Sequence, residues 1–140
     1  MKKKILLLLM VVICGACNKN NHQKPACTIT GACTALFTSV NVFYLDQAGN
    51  KITLKKLVVT NLRTHQVIDN KPFITPGFPP AAYTIATDSN IKDFSTEGDD
   101  TEVSATDSAT SNVKTTLFKI GGDCTCHIHK ISGPDTVKFN

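Results

Sequence analysis

Two pairs of cysteines stand at opposite ends of the sequence: Cys27 and Cys33 near the start, and Cys124 and Cys126 near the end. Four cysteines allow three pairings. A bridge between Cys124 and Cys126 would be strained, because a single residue separates them. The spacing therefore predicts two long-range disulfides, each closing a loop of about 90 residues. The alternative is a local Cys27–Cys33 bridge, with Cys124 and Cys126 reduced or strained.

The first sixteen residues indicate export. Three lysines follow the initial methionine, and residues 5–13 are all apolar, which is the pattern of a secretory signal peptide. Nine residues are too few for a helix that spans a bilayer. Gly15 and Ala16 precede Cys17, and this arrangement resembles a bacterial lipoprotein signal, in which the cysteine becomes the lipidated first residue. We expect removal of residues 1–16 and lipidation of Cys17; the alternative is an ordinary cleaved leader.

Residues 17–26 form a polar segment without periodicity, which predicts a flexible tether between the lipid and a domain at residues 27–140. An exported chain enters an oxidising compartment, where disulfides persist. The whole chain carries 15 basic and 11 acidic residues. Three of the lysines lie in the leader, so the mature chain is nearly neutral. We therefore expect a membrane partner through the N-terminus and no nucleic-acid partner.

The domain lacks helical periodicity and is rich in β-branched residues, including the chain's 18 threonines. These features predict an all-β sandwich of about seven short strands. A helical turn is expected at residues 91–95, after a break at 88–90. The main strands are expected at residues 37–45, 56–62, 82–87, 101–106, 113–120 and 124–131. In the first, Val40, Val42 and Tyr44 are expected on one face, and Asn41 and Phe43 on the other. Residues 101–106 and 113–120 are expected to form a hairpin joined by the small polar stretch 107–112.

Four prolines fall within residues 72–80, which predicts a rigid, extended loop. Phe73 and Phe78 lie in this loop. They are candidates for a binding lip, and the alternative is that they pack over the end of the sandwich.

Several short patterns resemble known families. An Asp-x-x-Gly-Asn turn at residues 46–50, Thr-Asn-Leu-Arg-Thr at 60–64, and Tyr83-Thr84-Ile85 after a Gly/Pro loop resemble a transthyretin-like or carboxypeptidase-regulatory-like sandwich, immunoglobulin-like in architecture. The lipoprotein signal with a Thr- and Asn-rich domain resembles small lipoproteins of the Bacteroidota. These resemblances imply a non-catalytic binding or spacing module. The residues after Cys17 are not acidic. For a lipoprotein of the Bacteroidota this implies a position facing the periplasm, and in enteric bacteria the absence of aspartate after the cysteine permits sorting to the outer membrane.

The densest cluster of metal-binding residue types is Cys124-Thr125-Cys126-His127-Ile128-His129. Thiolates and imidazoles suit copper or zinc. In a strand, however, the cysteines would face away from the histidines. We expect disulfide cysteines beside two solvent-facing histidines; the alternative is a periplasmic copper or zinc site that uses His127 and His129.

The acidic residues between positions 93 and 102 lack the spacing of a calcium loop, and a solvated loop and strand edge is expected there. They are Asp93, Glu97, Asp99, Asp100 and Glu102. The sequence carries no phosphate-binding loop and no nucleophile elbow, so we expect neither enzyme activity nor a cofactor. The sequence as a whole favours a lipid-anchored, non-enzymatic protein of the cell envelope that binds, or spaces, a protein or glycan partner.

Overall fold

The computed structural model describes residues 32–70 and 82–139, and its regular secondary structure is almost entirely β-strand. A short 3-10 helix, Asp88–Asp93, follows the fourth strand. The strands are β1 Ser39–Leu45, β2 Leu54–Asn61, β3 Gln66–Val67, β4 Tyr83–Thr87, β5 Asp99–Asp107, β6 Val113–Gly121, β7 His129–Ser132 and β8 Thr136–Lys138.

The strands form two sheets with the orders β4-β1-β8 and β3-β2-β5-β6-β7. All pairings are antiparallel except that of β8 with β1, which is parallel. Buried side chains from both sheets, such as Val42 and Ile85 from the first and Val59, Val103 and Phe118 from the second, belong to one core. The predicted all-β sandwich is confirmed.

Strand β1 shows how the sequence pattern produces this packing. Side chains alternate along a strand, and Val40, Val42 and Tyr44 are buried while Asn41 and Phe43 face outward. Tyr44 packs edge-on against Tyr83 of β4, with ring centroids 5.7 Å apart. This alternation is the predicted one, although the strand begins at Ser39 rather than at residue 37.

Tyr83 also links the two sheets. Its hydroxyl accepts a hydrogen bond from the backbone N–H of Leu54 at 2.8 Å and donates one to the carbonyl of Ile52 at 3.3 Å. The polar end of a buried tyrosine is thus satisfied by the segment that begins β2, which fixes how the sheets are placed relative to each other.

The hairpin predicted at residues 101–106 and 113–120 is confirmed as β5 and β6. Its turn is organised by Asp107, whose carboxylate accepts hydrogen bonds from the backbone N–H of Ala109 at 3.0 Å and from the hydroxyl of Thr110 at 2.6 Å. Asp and Thr stabilise turns by such local bonds, so the polar stretch between the strands marks the turn correctly.

The sequence predictions for residues 88–95 and 124–131 are wrong in part. Residues 124–128 do not continue a strand, and β7 begins only at His129. Individual contacts hold this segment instead: the N–H of Asp123 bonds to the carbonyl of Ile91, and the N–H of Ile128 bonds to the Asp88 carboxylate at 2.8 Å. The 3-10 helix also starts at Asp88, where a break was expected. Strand β8 was not predicted.

A disulfide joins the N-terminal segment of the domain to this C-terminal region. Cys33 is bonded to Cys126, with Cα atoms 5.2 Å apart and a sequence separation of 93. The alternative local Cys27–Cys33 bridge is therefore wrong. Cys124 is also disulfide-bonded. The two-bridge prediction assigns it to Cys27, which lies outside the described residues.

Candidate functional site: the groove between β1 and β7

The carboxylate of Asp88 joins three segments of the chain. It accepts hydrogen bonds from the backbone N–H groups of Thr38 at 2.7 Å and Ile128 at 2.8 Å, and from Nδ1 of His127 at 2.8 Å. Burial by itself would raise the pKa of Asp88, but the bonds from His127, Ile128 and Thr38 outweigh it and lower the pKa below the usual value. Asp88 is therefore an anion held in a fixed orientation.

His127 continues this chain of hydrogen bonds to a hydroxyl. Its Nε2 lies 2.8 Å from Oγ1 of Thr34. A carboxylate can only accept, so in the neutral imidazole Nδ1 carries the proton toward Asp88, and Nε2 accepts the hydroxyl proton of Thr34. We call these three residues the Thr34–His127–Asp88 triad.

The Cys33–Cys126 disulfide lies directly beside the triad, because Cys33 precedes Thr34 and Cys126 precedes His127. The backbone next to His127 is held as well, since the hydroxyl of Thr125 donates a hydrogen bond to the carbonyl of His127 at 2.7 Å. The hydroxyl and the imidazole are thus kept together by covalent bonds in the chain as well as by their own hydrogen bond.

An open groove of about 330 Å³ lies next to the triad, between β1 and β7. Ser39 and Asn41 line one wall, and His129 and Lys130 line the other. Lys130 forms an ion pair with Asp135, which also lines the groove. Thr38 and Ile128 also line the groove, and their backbone N–H groups donate hydrogen bonds to Asp88.

Both walls of this groove are strand edges. Within residues 32–70 and 82–139, strand β7 pairs with β6 alone and ends its sheet. Strand β1 pairs with β8 only at Phe43–Leu45, and its residues 39–42 pair only with β4 among the described strands. The half of β1 that lies beside β7 therefore has one edge without a partner strand in the described part of the chain.

The residues of the possible copper or zinc site make other contacts in the structure. Both ring nitrogens of His127 are engaged, by Asp88 and Thr34. The ring of His129 covers Gly121, where an added Cβ would lie 2.6 Å from its Cε1 atom. Cys124 and Cys126 are disulfide-bonded. Within residues 32–70 and 82–139, no group of three His, Cys, Asp or Glu side chains could hold a metal ion.

Asp99 departs from the predicted solvated acidic stretch. It lies on β5, which is paired on both sides and is not an edge, and its side chain is 3% exposed. Its carboxylate accepts bonds from Asn61 Nδ2 at 2.8 Å, from Arg63 Nε and Nη2 at 2.7 and 2.9 Å, and from the N–H and hydroxyl of Ser95 at 3.0 and 2.7 Å.

Burial alone would raise the pKa of Asp99, but the bonds from Arg63, Ser95 and Asn61 hold it well below the usual range. A buried charge needs such compensation. No local sequence pattern predicts Asn61 and Arg63 as partners of Asp99, because their pairing depends on the register between β2 and β5. This cluster is a structural element of the domain, since its polar groups bond to one another.

Comparison with family models, with curated proteins and with solved structures finds no match for this chain. The geometry therefore carries the functional argument. Of the residues singled out in the sequence, Cys17, Cys27, Phe73 and Phe78 lie outside the described residues. Among the residues that are described, no helix is long and apolar enough to cross a membrane.

Proposed function

We propose that this protein is a lipid-anchored, non-enzymatic module of the bacterial cell envelope that binds an extended segment of a partner protein in the groove between β1 and β7. The observation that carries the proposal is the pair of strand edges that face this groove. An extended polypeptide adds to such edges through main-chain hydrogen bonds, and the neighbouring side chains select its sequence.

The groove suits an extended peptide better than a compact apolar ligand. Its walls offer backbone groups at the strand edges together with the polar side chains of Ser39, Asn41, His129 and Lys130. Ser39, Asn41 and His129 are exposed, so they can contact an incoming chain without rearrangement of the core. A glycan partner would use these side chains without the strand edges, and this difference is open to experiment.

The anchoring half of the proposal rests on the sequence of residues 1–26 and is supported by how the domain begins. Residues 32–38 lead into β1 beside the groove, and Cys33 and Thr38 link this segment to Cys126 and Asp88. Force transmitted from a lipid at Cys17 would act on this cross-linked segment first, before it acted on β1. The groove would then face a partner near the outer membrane, on its periplasmic side.

Replacement of the lipidated cysteine tests the anchor. We expect Cys17→Ser to move the protein from the membrane fraction to the soluble fraction, or to leave it as the unprocessed precursor, because the acyl chains supply the membrane affinity. Fractionation of cells that produce the full chain, followed by mass spectrometry of the N-terminal peptide, measures this. The leader cysteine provides a matched control: Cys14→Ser should leave membrane partitioning unchanged. Unchanged membrane partitioning of a Cys17→Ser protein whose leader has been removed would contradict the anchor.

A synthetic array of unstructured peptides tests the groove. We expect selected peptides to bind the oxidised domain and to lose binding when backbone N-methyl groups are introduced, because main-chain hydrogen bonds supply the affinity. Insertion between two edges makes N-methylation harmful at successive residues, whereas addition to one edge makes it harmful at alternate residues.

A photo-crosslinking side chain placed at Asn41 then locates the bound peptide, and the same side chain at Thr115, an exposed residue of β6, serves as the control. Crosslinks from Asn41 that Thr115 does not give support the groove. Equal crosslinking at both positions, or binding that tolerates N-methylation throughout, contradicts it. Binding of oligosaccharides with no peptide binding would assign the groove to a glycan instead.

A further inference from the structure

We propose that Thr34 is a nucleophilic hydroxyl that takes an acyl group from an ester donor, with His127 as its general base and Asp88 as the carboxylate that positions His127. This inference goes beyond the binding function and does not depend on it. It rests on the Thr34–His127–Asp88 triad, which no local pattern predicts because its members come from three separate parts of the chain.

The bonding order within the triad is the one that activates a hydroxyl. The Asp88 carboxylate fixes the Nδ1 proton of His127 at 2.8 Å, and Nε2 lies 2.8 Å from the Thr34 hydroxyl. A nucleophile within hydrogen-bond reach of a base, with the base oriented by a third group, is the arrangement used for covalent chemistry in proteins. Asp88 itself is immobilised by two backbone N–H groups, so the orientation of the imidazole is fixed as well.

The triad is open to solvent at the hydroxyl and shielded at the carboxylate. Thr34 is exposed, whereas the side chain of His127 is 25% exposed and that of Asp88 is 15% exposed. An acyl donor can therefore reach the hydroxyl. The Cys33–Cys126 disulfide holds Thr34 and His127 together before any donor arrives, which removes part of the entropic cost of the reaction.

The reaction proceeds by acyl transfer. Oγ1 of Thr34 bonds to the carbonyl carbon of the donor while its proton moves to Nε2 of His127, and the tetrahedral intermediate then breaks the bond to the leaving oxygen. The proton on Nε2 passes to that oxygen, or to solvent when the leaving group is a stable anion. Asp88 stays ionised and stabilises the imidazolium. The products are acyl-threonine and the released alcohol.

A second threonine in the chain provides a matched comparison. Thr110 is exposed and its hydroxyl donates to the Asp107 carboxylate at 2.6 Å, with no imidazole between them. Hydrogen bonds from Thr110 and Ala109 lower the pKa of Asp107, which makes that carboxylate a poor base. Thr110 is therefore as exposed as Thr34 and lies close to a carboxylate, but it has no imidazole to act as its general base.

The test is treatment of the oxidised, folded protein with p-nitrophenyl acetate near neutral pH, followed by peptide mapping of the acetylated sites. We expect acetylation at Thr34 and none at Thr110 over the same period. His127→Gln should slow acetylation of Thr34 by about 10²–10⁴-fold, the usual contribution of a general base. Thr34→Ser should retain acetylation at position 34, and Thr34→Val should abolish it there.

Further variants separate this proposal from other reactive groups. His65→Asn should leave acetylation of Thr34 unchanged, because His65 is an exposed residue between β2 and β3, and β3 is at the opposite edge of its sheet from β7. Cys33→Ser combined with Cys126→Ser should slow it, since the covalent link directly beside the hydroxyl and the base is then lost. Circular dichroism of each variant shows whether it is folded, and Thr34→Ser has full hydroxyl function with little structural change. Acetylation of Thr34 no faster than of Thr110, or an unchanged rate in folded His127→Gln, would overturn the proposal.

Discussion

Reduction of the disulfides is expected to lower the free energy of unfolding of the domain by about 4–5 kcal/mol. The Cys33–Cys126 bond joins residues separated by 93 positions, so its loss restores a large conformational freedom to the unfolded chain. Domains of this size have total stabilities of about 5–15 kcal/mol, and the loss is therefore a large part of the whole. Urea unfolding with and without a phosphine reductant, followed by far-ultraviolet circular dichroism, measures it.

Two control variants show which disulfide is responsible for the change in stability. The double variant Cys33→Ser, Cys126→Ser should lose less stability than full reduction, because the disulfide of Cys124 remains. A variant with serine at all four domain cysteines should not respond to the reductant. An unfolding midpoint of the natural protein that is the same in both redox states would show that the long-range bridge does not stabilise the fold. A non-reducing peptide map also tests the predicted pairing of Cys124 with Cys27.

Removal of the Asp99 carboxylate is expected to cost about 2–4 kcal/mol, because it leaves buried donors without their acceptor. Asp99→Ala takes away the shared partner of Asn61, Arg63 and Ser95. Arg63 is 54% exposed, so water can solvate its guanidinium after the change, and the cost comes mainly from the buried donors. Urea unfolding at neutral pH measures the loss.

Asp100 provides the matched control, because it is the next residue of β5 and its side chain is exposed on the opposite face. Asp100→Ala should change the free energy of unfolding by less than about 0.5 kcal/mol. Equal losses for Asp99→Ala and Asp100→Ala would show that the buried cluster contributes no special stability.

The same carboxylate makes the stability depend on pH in a predictable direction. The folded state holds the pKa of Asp99 below its value in the unfolded chain, which is about 3.9. The stabilisation is therefore fully present above about pH 5 and is lost as the pH falls through about 4 and below. Asp88 shifts in the same direction. Asp99→Asn should flatten part of this acid dependence, and an unchanged acid profile would contradict the assignment.

Local patterns in the sequence predicted the elements whose formation is local. The alternation of β1 and the polar turn at Asp107 are both readable from neighbouring residues, and both are confirmed. Segment 124–128 was misassigned because its contacts are distant: the Asp88 bond to Ile128 spans 40 positions. Strand β8 has three residues, too few to show periodicity.

The candidate site was predictable only in part. The Cys–His cluster marked His127 as a candidate site residue, and a long-range disulfide was expected at Cys126. The partners Thr34 and Asp88 carried no local signal, since the hydroxyl lies 93 positions from His127 and the carboxylate 39. The burial of Asp99 also carried no local signal, because the neighbouring sequence does not distinguish a carboxylate that strand pairing buries from one that is solvated.

The parallel pairing of β8 with β1 has a consequence for the order in which the domain is completed during synthesis. A chain emerges from its N-terminus first, so β1 must wait for β8 until almost the whole domain has been made. Val137 and Phe139, which are buried in the core, arrive at the same late stage. Until then the three-stranded sheet lacks one edge, and its apolar surface stays open to solvent and to other chains. Strand β8 and the residue that follows it therefore close the fold, because they cover the apolar surface that β1 and β4 leave exposed until then.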